Sequence, residues 1–173
     1  MNQNKFVCLA KDTTVTTPGG SKVIESIKPG EAVFGYNHNL NVVEKVIVEK
    51  IATSRHSIIN KITFSDGTEV KSTMDHPYWV SGKGWCAVDN SCTIENYGIS
   101  VKELKVKDTC LVLKSGLLKE VQITNIKTIV GDFKMYDISG GKNHCFFANG
   151  ILVHDENLVD LQLEGTSIEF ATL

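Results

Sequence analysis

Rhythm restricts this chain more than any other property. Short runs rich in Val, Ile, Thr and aromatic residues recur from end to end, and no window carries a 3.6-residue apolar period over three turns. The runs are Thr13–Thr17, Ala32–Tyr36, Val42–Ile51, Ile58–Phe64, Thr68–Lys71, Tyr78–Val80, Cys110–Leu113, Val121–Ile129, Met135–Ile138, Cys145–Ala148 and Ile151–Val153. Between them lie turn formers such as Pro18-Gly19-Gly20, Pro29-Gly30, Asp66-Gly67, Ser115-Gly116 and Gly140-Gly141. Asn149-Gly150 between two apolar runs predicts a tight hairpin, because both central residues of a type I′ turn need φ > 0. The pattern predicts an all-β fold. One-turn helices are expected at Val23–Ser26 and Val101–Leu104, and the polar stretch Asp89–Ser100 reads as a surface loop.

The chain also repeats itself weakly. Glu25-Ser-Ile-Lys-Pro-Gly-Glu-Ala-Val-Phe34 is similar to Lys102-Glu-Leu-Lys-Val-Lys-Asp-Thr-Cys-Leu111, an offset of 77. Val46, Val48 and Ile51 match Val121, Ile123 and Ile126 at an offset of 75. His76-Pro-Tyr-Trp echoes His144-Cys-Phe-Phe at 68. Two β units in the same order predict a pseudo-two-fold fold, with both histidines beside one central cleft.

A chain of 173 residues with a net charge of −2 has the length of one domain and gives no electrostatic reason to bind nucleic acid or an acidic membrane. No apolar run reaches 18 residues, and the N-terminus lacks a signal-peptide core, so a cytoplasmic location is expected. Cys86, Cys92, Cys110 and Cys145 form no CxxC pair and read as small hydrophobes. No metal and no cofactor is expected.

Ordered motifs carry the chemistry. Cys8-Leu-Ala-Lys-Asp-Thr-Thr-Val is followed by Val23-Ile-Glu-Ser-Ile-Lys-Pro-Gly-Glu31, then Thr73-Met-Asp-His76-Pro77. Near the end come Tyr136-Asp137-Ile138, His144 and Ile151-Leu-Val-His154-Asp155. Each motif alone is common. Together, in this order and spacing, they resemble the Hint (hedgehog/intein) superfamily, as in mini-inteins and bacterial intein-like domains. The resemblance covers 8–155, leaving 1–7 and 156–173 as flanks, the second a possible hairpin. It implies a flat, pseudo-two-fold horseshoe, acting as a monomer on its own flanking polypeptide.

The resemblance also implies roles. The Cys8 thiol attacks the Val7 carbonyl and converts the peptide bond to a thioester, an N–S acyl shift. A free thiol has a pKa of about 8.5, so it needs a base or a proton path. His76 protonates the departing amine, Thr73 bonds the scissile region, and Asp137 tunes the thiol. His144 and His154 assist cleavage after residue 155. The chain departs from splicing proteins twice. Residue 156 is glutamate, which offers no Cys, Ser or Thr nucleophile to accept the acyl group, so ordinary splicing is blocked. Residue 155 is aspartate, whose carboxylate gives an anhydride rather than the succinimide an asparagine forms. N-terminal cleavage or acyl transfer to water, a thiol or an amine is therefore expected, with weak cleavage at Asp155–Glu156. The alternative is a non-catalytic Hint-like scaffold, in which Thr73 and His76 cap a turn, His144 and His154 are satisfied core histidines, and Asp137 is an exposed strand-end carboxylate. A sterol transferase is disfavoured because no apolar sterol-binding segment follows. His38 reads as a turn residue and His56 as exposed.

Overall fold

The computed structural model describes residues 7–97, 101–155 and 157. Its elements follow the β-branched runs and break at the turn formers. They are β1 (Leu9–Ala10), β2 (Thr14–Thr17), β3 (Gly20–Val23), a 3₁₀ turn (Ile24–Ser26), β4 (Ala32–Asn37), β5 (Val42–Ile47), β6 (Lys50–Phe64) and β7 (Glu69–Ser72). Then come β8 (Tyr78–Val80), β9 (Gly84–Ala87), α1 (Asn90–Tyr97), β10 (Lys102–Glu103), β11 (Thr109–Lys114), β12 (Leu117–Ser139), β13 (Cys145–Ala148) and β14 (Ile151–His154). The fold is all-β, as its sequence rhythm requires. Asn149 and Gly150 adopt φ of 49° and 86° and close the β13–β14 hairpin across Ala148 and Ile151.

One sheet runs β1-β7-β6-β12-β11-β8-β14-β13-β2-β3, and a further β1–β12 pairing ties its first strand back to the middle. β4 and β5 form a separate hairpin. Strand β12 spans 23 residues and serves both halves, pairing β11 through Leu117–Gln122 and β6 through Ile123–Ser139. Drawn straight it would measure roughly 75 Å, too long for a domain of this size. Register shifts between Ile123 and Asn125 and between Val130 and Phe133 bend it instead.

The sequence repeat is written in the backbone. Glu31 N–H donates to the Lys28 carbonyl, and Asp108 N–H to that of Lys105. Gly30 and Lys107 both take positive φ, 91° and 81°. Gly30 N–H donates to Val48 and Val48 N–H to Glu31; Lys107 N–H donates to Ile123 and Ile123 N–H to Asp108. The same three-bond pattern thus recurs at the offsets read from sequence. The third echo also holds: Val153 of β14 pairs with Tyr78 on one side and Phe146 on the other. His76 and His144 therefore straddle the end of β14.

Most of the core lies around Val33, Val48, Ile62, Ile123, Ile138 and Val153, contributed by both repeats. Each such side chain contributes about 1.5–3 kcal/mol by leaving water. That burial offsets the cost of enclosing Asp137, His76, His154 and Asp155, all 2% exposed or less.

Three local expectations are corrected. Val101–Leu104 is no helix; Lys102 and Glu103 pair in parallel with Cys86 and Ala87. Asp89–Ser100 is not simply a loop, because Asn90–Tyr97 is helical. Asp89 accepts the Cys92 N–H at 3.1 Å and so caps the helix, although the segment has no apolar stripe to announce it. Val42–Ile51 is not one strand, since Val48 and Glu49 leave β5 to bond Glu31 and Ser139. The expected hairpin in 156–173 lies outside the described residues.

Candidate active site

β1 is only two residues long, yet its place between β7 and β12 fixes Cys8. Leu9 pairs with Ser72 of β7 and with Tyr136 of β12. Continuing both antiparallel registers by one residue sets Thr73 on one side of Cys8 and Asp137 on the other. Hydrogen bonds bear this out at Thr73, whose N–H donates to the Cys8 carbonyl at 2.9 Å. The Thr73 Oγ1 accepts the Cys8 N–H at 3.1 Å, and that nitrogen belongs to the Val7–Cys8 peptide bond. Val7 and Cys8 are both fully buried. Asp137, expected as an exposed carboxylate in the scaffold reading, is also fully buried, and its Oδ1 accepts the Ile138 N–H at 2.7 Å.

A tight turn follows Thr73, in which His76 N–H donates to the Thr73 carbonyl at 3.2 Å. The turn sends the His76 ring inward toward β14, where Nε2 lies 2.9 Å from the His154 carbonyl oxygen. A carbonyl only accepts, so Nε2 carries the proton and Nδ1 presents its lone pair. That Nδ1 is buried without a hydrogen-bond partner. Burial pushes the imidazole down to about 4, against the opposing pull of the His154 and Cys8 backbone. Thr73 and His76 thus link the Cys8 amide to the end of β14.

The closing segment is equally constrained. His154 Nδ1 donates to the Asp155 carbonyl oxygen at 2.9 Å. That carbonyl belongs to the Asp155–Glu156 bond. The Asp155 carboxylate is held by other donors: Gly140 N–H at 3.2 Å and His144 Nδ1 at 3.1 Å on Oδ2, and Asn157 N–H at 2.8 Å on Oδ1. The Asp155 N–H returns to the His144 carbonyl at 2.7 Å. Gly140 has no room for a side chain, since a Cβ there would lie 2.2 Å from the Ile47 carbonyl oxygen. Trp85 meets the His154 ring edge-on at 4.9 Å, and the His144 and His154 rings lie parallel at 6.4 Å.

Residues 17–115, more than half of the chain, match the family described as the Ataxin-1 and HBP1 module (AXH). The chain belongs to the AXH family. HMG box-containing protein 1 from Homo sapiens and from Bos taurus is 32% identical over 73 residues, 39% of this chain and only 14% of the length of those proteins. The fold of the described residues is that of Hint domains. The gp41-1 intein is 27% identical with a TM-score of 0.63, covering 86% of this chain and 98% of that one. A bacterial intein-like domain from Clostridium thermocellum is 23% identical at TM-score 0.68, covering 85% and 97%. A DnaB intein from Synechocystis is 17% identical at 0.72, covering 86% and 98%. The AXH match includes Thr73 and His76 but stops short of Cys8, Asp137, His144, His154 and Asp155.

The seven candidate residues of this AXH-family chain fall in two groups, Cys8 with Thr73 and Asp137, and His144 with His154 and Asp155, joined by the His76 bond to the His154 carbonyl. Cys86, Cys110 and Cys145 are buried, whereas Cys92 is half-buried at the helical segment; burial pushes Cys110 and Cys145 up to about 12, which removes thiolate chemistry at neutral pH. Sequence reasoning missed Ser54 and His56. They alternate on one face of β6, and Ser54 Oγ sits 3.2 Å from the Cys8 Sγ and 2.8 Å from His56 Nε2. The signal that would have found them is a Ser-x-His pair at strand period.

His76 also makes stability pH-dependent. Its folded value of about 4 lies below the ordinary value of 6.5. Between these values the unfolded chain binds a proton that the fold excludes, so stability falls as pH drops through this window. The difference corresponds to about 3 kcal/mol. Urea midpoints measured from pH 7 to pH 4 are expected to fall by more in the wild type than in His76→Gln, and equal slopes would contradict the burial argument.

Proposed function

We propose that this domain is a single-turnover autoprocessing unit that performs an N–S acyl shift at Val7–Cys8 and passes the resulting thioester to water or to an external thiol or amine. One observation carries the reading: the amide nitrogen that must leave is bonded to Thr73 Oγ1 at 3.1 Å, with Asp137 in register on the far side of Cys8. Sγ adds to the Val7 carbonyl carbon, the carbon–nitrogen bond breaks, and the Cys8 nitrogen takes up a proton. His76, reached from that site through Thr73, supplies it as a transient imidazolium. With Glu156 in the next position no side-chain nucleophile takes the acyl group onward, so the thioester waits for an outside acceptor.

The test is intact mass after incubation with hydroxylamine. Release of residues 1–7 as the hydroxamate is expected from the wild type, and none from Cys8→Ala, which lacks the only adjacent nucleophile. Equal release from both proteins would end the proposal.

A second reading is a non-catalytic module. It is favoured by the AXH match itself, which spans 17–115 and holds neither Cys8 nor the closing segment. An inert wild type with a folded β-sheet would select it.

A further inference from the structure

Cys8 is fully buried, and its thiol must lose a proton before it can attack. Thr73 Oγ1 accepts the Cys8 N–H, and His76 Nε2 donates to the His154 carbonyl, so both are engaged on the amide side of the site. Ser54 Oγ lies 3.2 Å from Sγ, and in turn 2.8 Å from His56 Nε2. Ser54 is buried, whereas His56 lines an open cavity of about 580 Å³ together with Thr73, Asp75, Asp89 and Glu95. The three residues form a line from sulfur to solvent.

We infer that Ser54 and His56 are a proton relay that ionises Cys8, with Ser54 as the contact on the reacting sulfur and His56 as the base behind it. This rests on the autoprocessing reading and adds to it the path by which the buried thiol is activated. The step balances. The thiol proton passes to Ser54 Oγ as the serine's own proton passes to His56 Nε2, leaving a thiolate and an imidazolium. The imidazolium keeps its proton until the acyl shift is complete and then gives it to water in the cavity. The thiolate electron pair forms the bond to the Val7 carbonyl carbon. The pair from the broken carbon–nitrogen bond stays on the Cys8 nitrogen, which takes its proton from the Thr73–His76 side. Sulfur and nitrogen are thus served by different groups, so one group need not act as both base and acid.

The surroundings keep His56 ready to accept. Burial holds its imidazole below the ordinary value, with Asp75 pulling the other way. Asp89, Cys92 and Glu95 face the same cavity from the helical segment. On its own strand Arg55 is engaged with Asp132 at 3.0 Å. Phe133 lies opposite on β12, with Lys134 next to it opposite Arg55. His56 is therefore neutral at pH 7, with a lone pair for the serine proton.

The experiment is the rate of residue 1–7 release at hydroxylamine concentrations where release no longer accelerates, in the full chain. His56→Gln and Ser54→Ala are each expected to slow it by ~10²-fold, and the double variant by no more than either alone. Ser54→Thr keeps the hydroxyl and restores the rate, which guards against a folding defect. Added imidazole rescues His56→Gly through the open cavity but does not rescue His56→Gly combined with Ser54→Ala, because the wire to sulfur is cut. A purely structural role for His56 would give no rescue. Release from His56→Gln and Ser54→Ala within about threefold of the wild type, with Cys8→Ala inactive, overturns the relay and leaves the autoprocessing reading standing. No release from the wild type overturns both.

Discussion

His76→Ala is expected to slow capture of the residue 1–7 acyl group by ~10²–10⁴-fold, the usual worth of positioned acid–base help. The magnitude follows from where the ring sits. Thr73 fixes the Cys8 nitrogen, the next turn of chain carries His76, and its Nδ1 lone pair has no other hydrogen-bond partner. Removing the ring leaves the departing amine to be protonated by whatever water reaches a fully buried site. His76→Gln separates geometry from chemistry, because its amide can still donate to the His154 carbonyl but cannot carry a proton across. If His76→Gln releases the flank as fast as the wild type, proton delivery by this residue is excluded.

The same residue sets a pH signature. With an imidazole at about 4, the protonated fraction falls tenfold for each unit above that value. His56 is neutral above its lowered value and gains nothing further as pH rises. Release limited by the acyl shift should therefore slow between pH 7 and pH 8, by up to about tenfold, and His76→Ala should flatten that slope.

Much of this arrangement was legible in the residues. Strand positions Tyr78–Val80 and Cys145–Ala148 followed from β-branched and aromatic runs bounded by turns; the second is buried on both faces, and the first buries Tyr78 and Val80 on one. The offsets of the repeat were also readable, since Gly30 and Lys107 occupy the same turn with the same bonds. What escaped was set by partners distant in sequence. Lys102 and Glu103 have little strand propensity, and only Cys86 and Ala87 alongside make them a strand. Helix α1 rests on one capping aspartate and on Thr93, whose Oγ1 donates to the Asp75 carbonyl at 3.2 Å. His56 looked like a solvent residue because its neighbour Arg55 is one. Alternation along β6 puts the two on opposite faces, and only the return of β1 brings Cys8 to the inner one.

Asp155→Asn is expected to convert a stable bond into a labile one, speeding release of residues 156–173 by at least ~10²-fold, about 2.7 kcal/mol of barrier. In the wild type the carboxylate is a poor nucleophile and is also held away from its own carbonyl. Oδ2 is shared by Gly140 N–H and His144, and Oδ1 accepts the Asn157 N–H. An asparagine oxygen can keep the Gly140 and His144 bonds. Its nitrogen, placed where Oδ1 was, cannot accept from Asn157, so it is freed beside a carbonyl whose oxygen already takes the His154 proton at 2.9 Å. Attack by that nitrogen closes a succinimide and expels the Glu156 amine. His154→Ala removes the donor on that oxygen and His144→Ala the group that orients the side chain, so either should return the Asp155→Asn protein to slow cleavage. Splicing should still be absent, because Glu156 cannot receive the acyl group; residues 1–7 should join 156–173 only when Glu156→Cys is added. Mass spectrometry of the wild type, the two single variants and the double variant separates these outcomes. A bond after residue 155 that stays as stable in Asp155→Asn as in the wild type would show that the His144–His154 pair serves the fold and not a cleavage site.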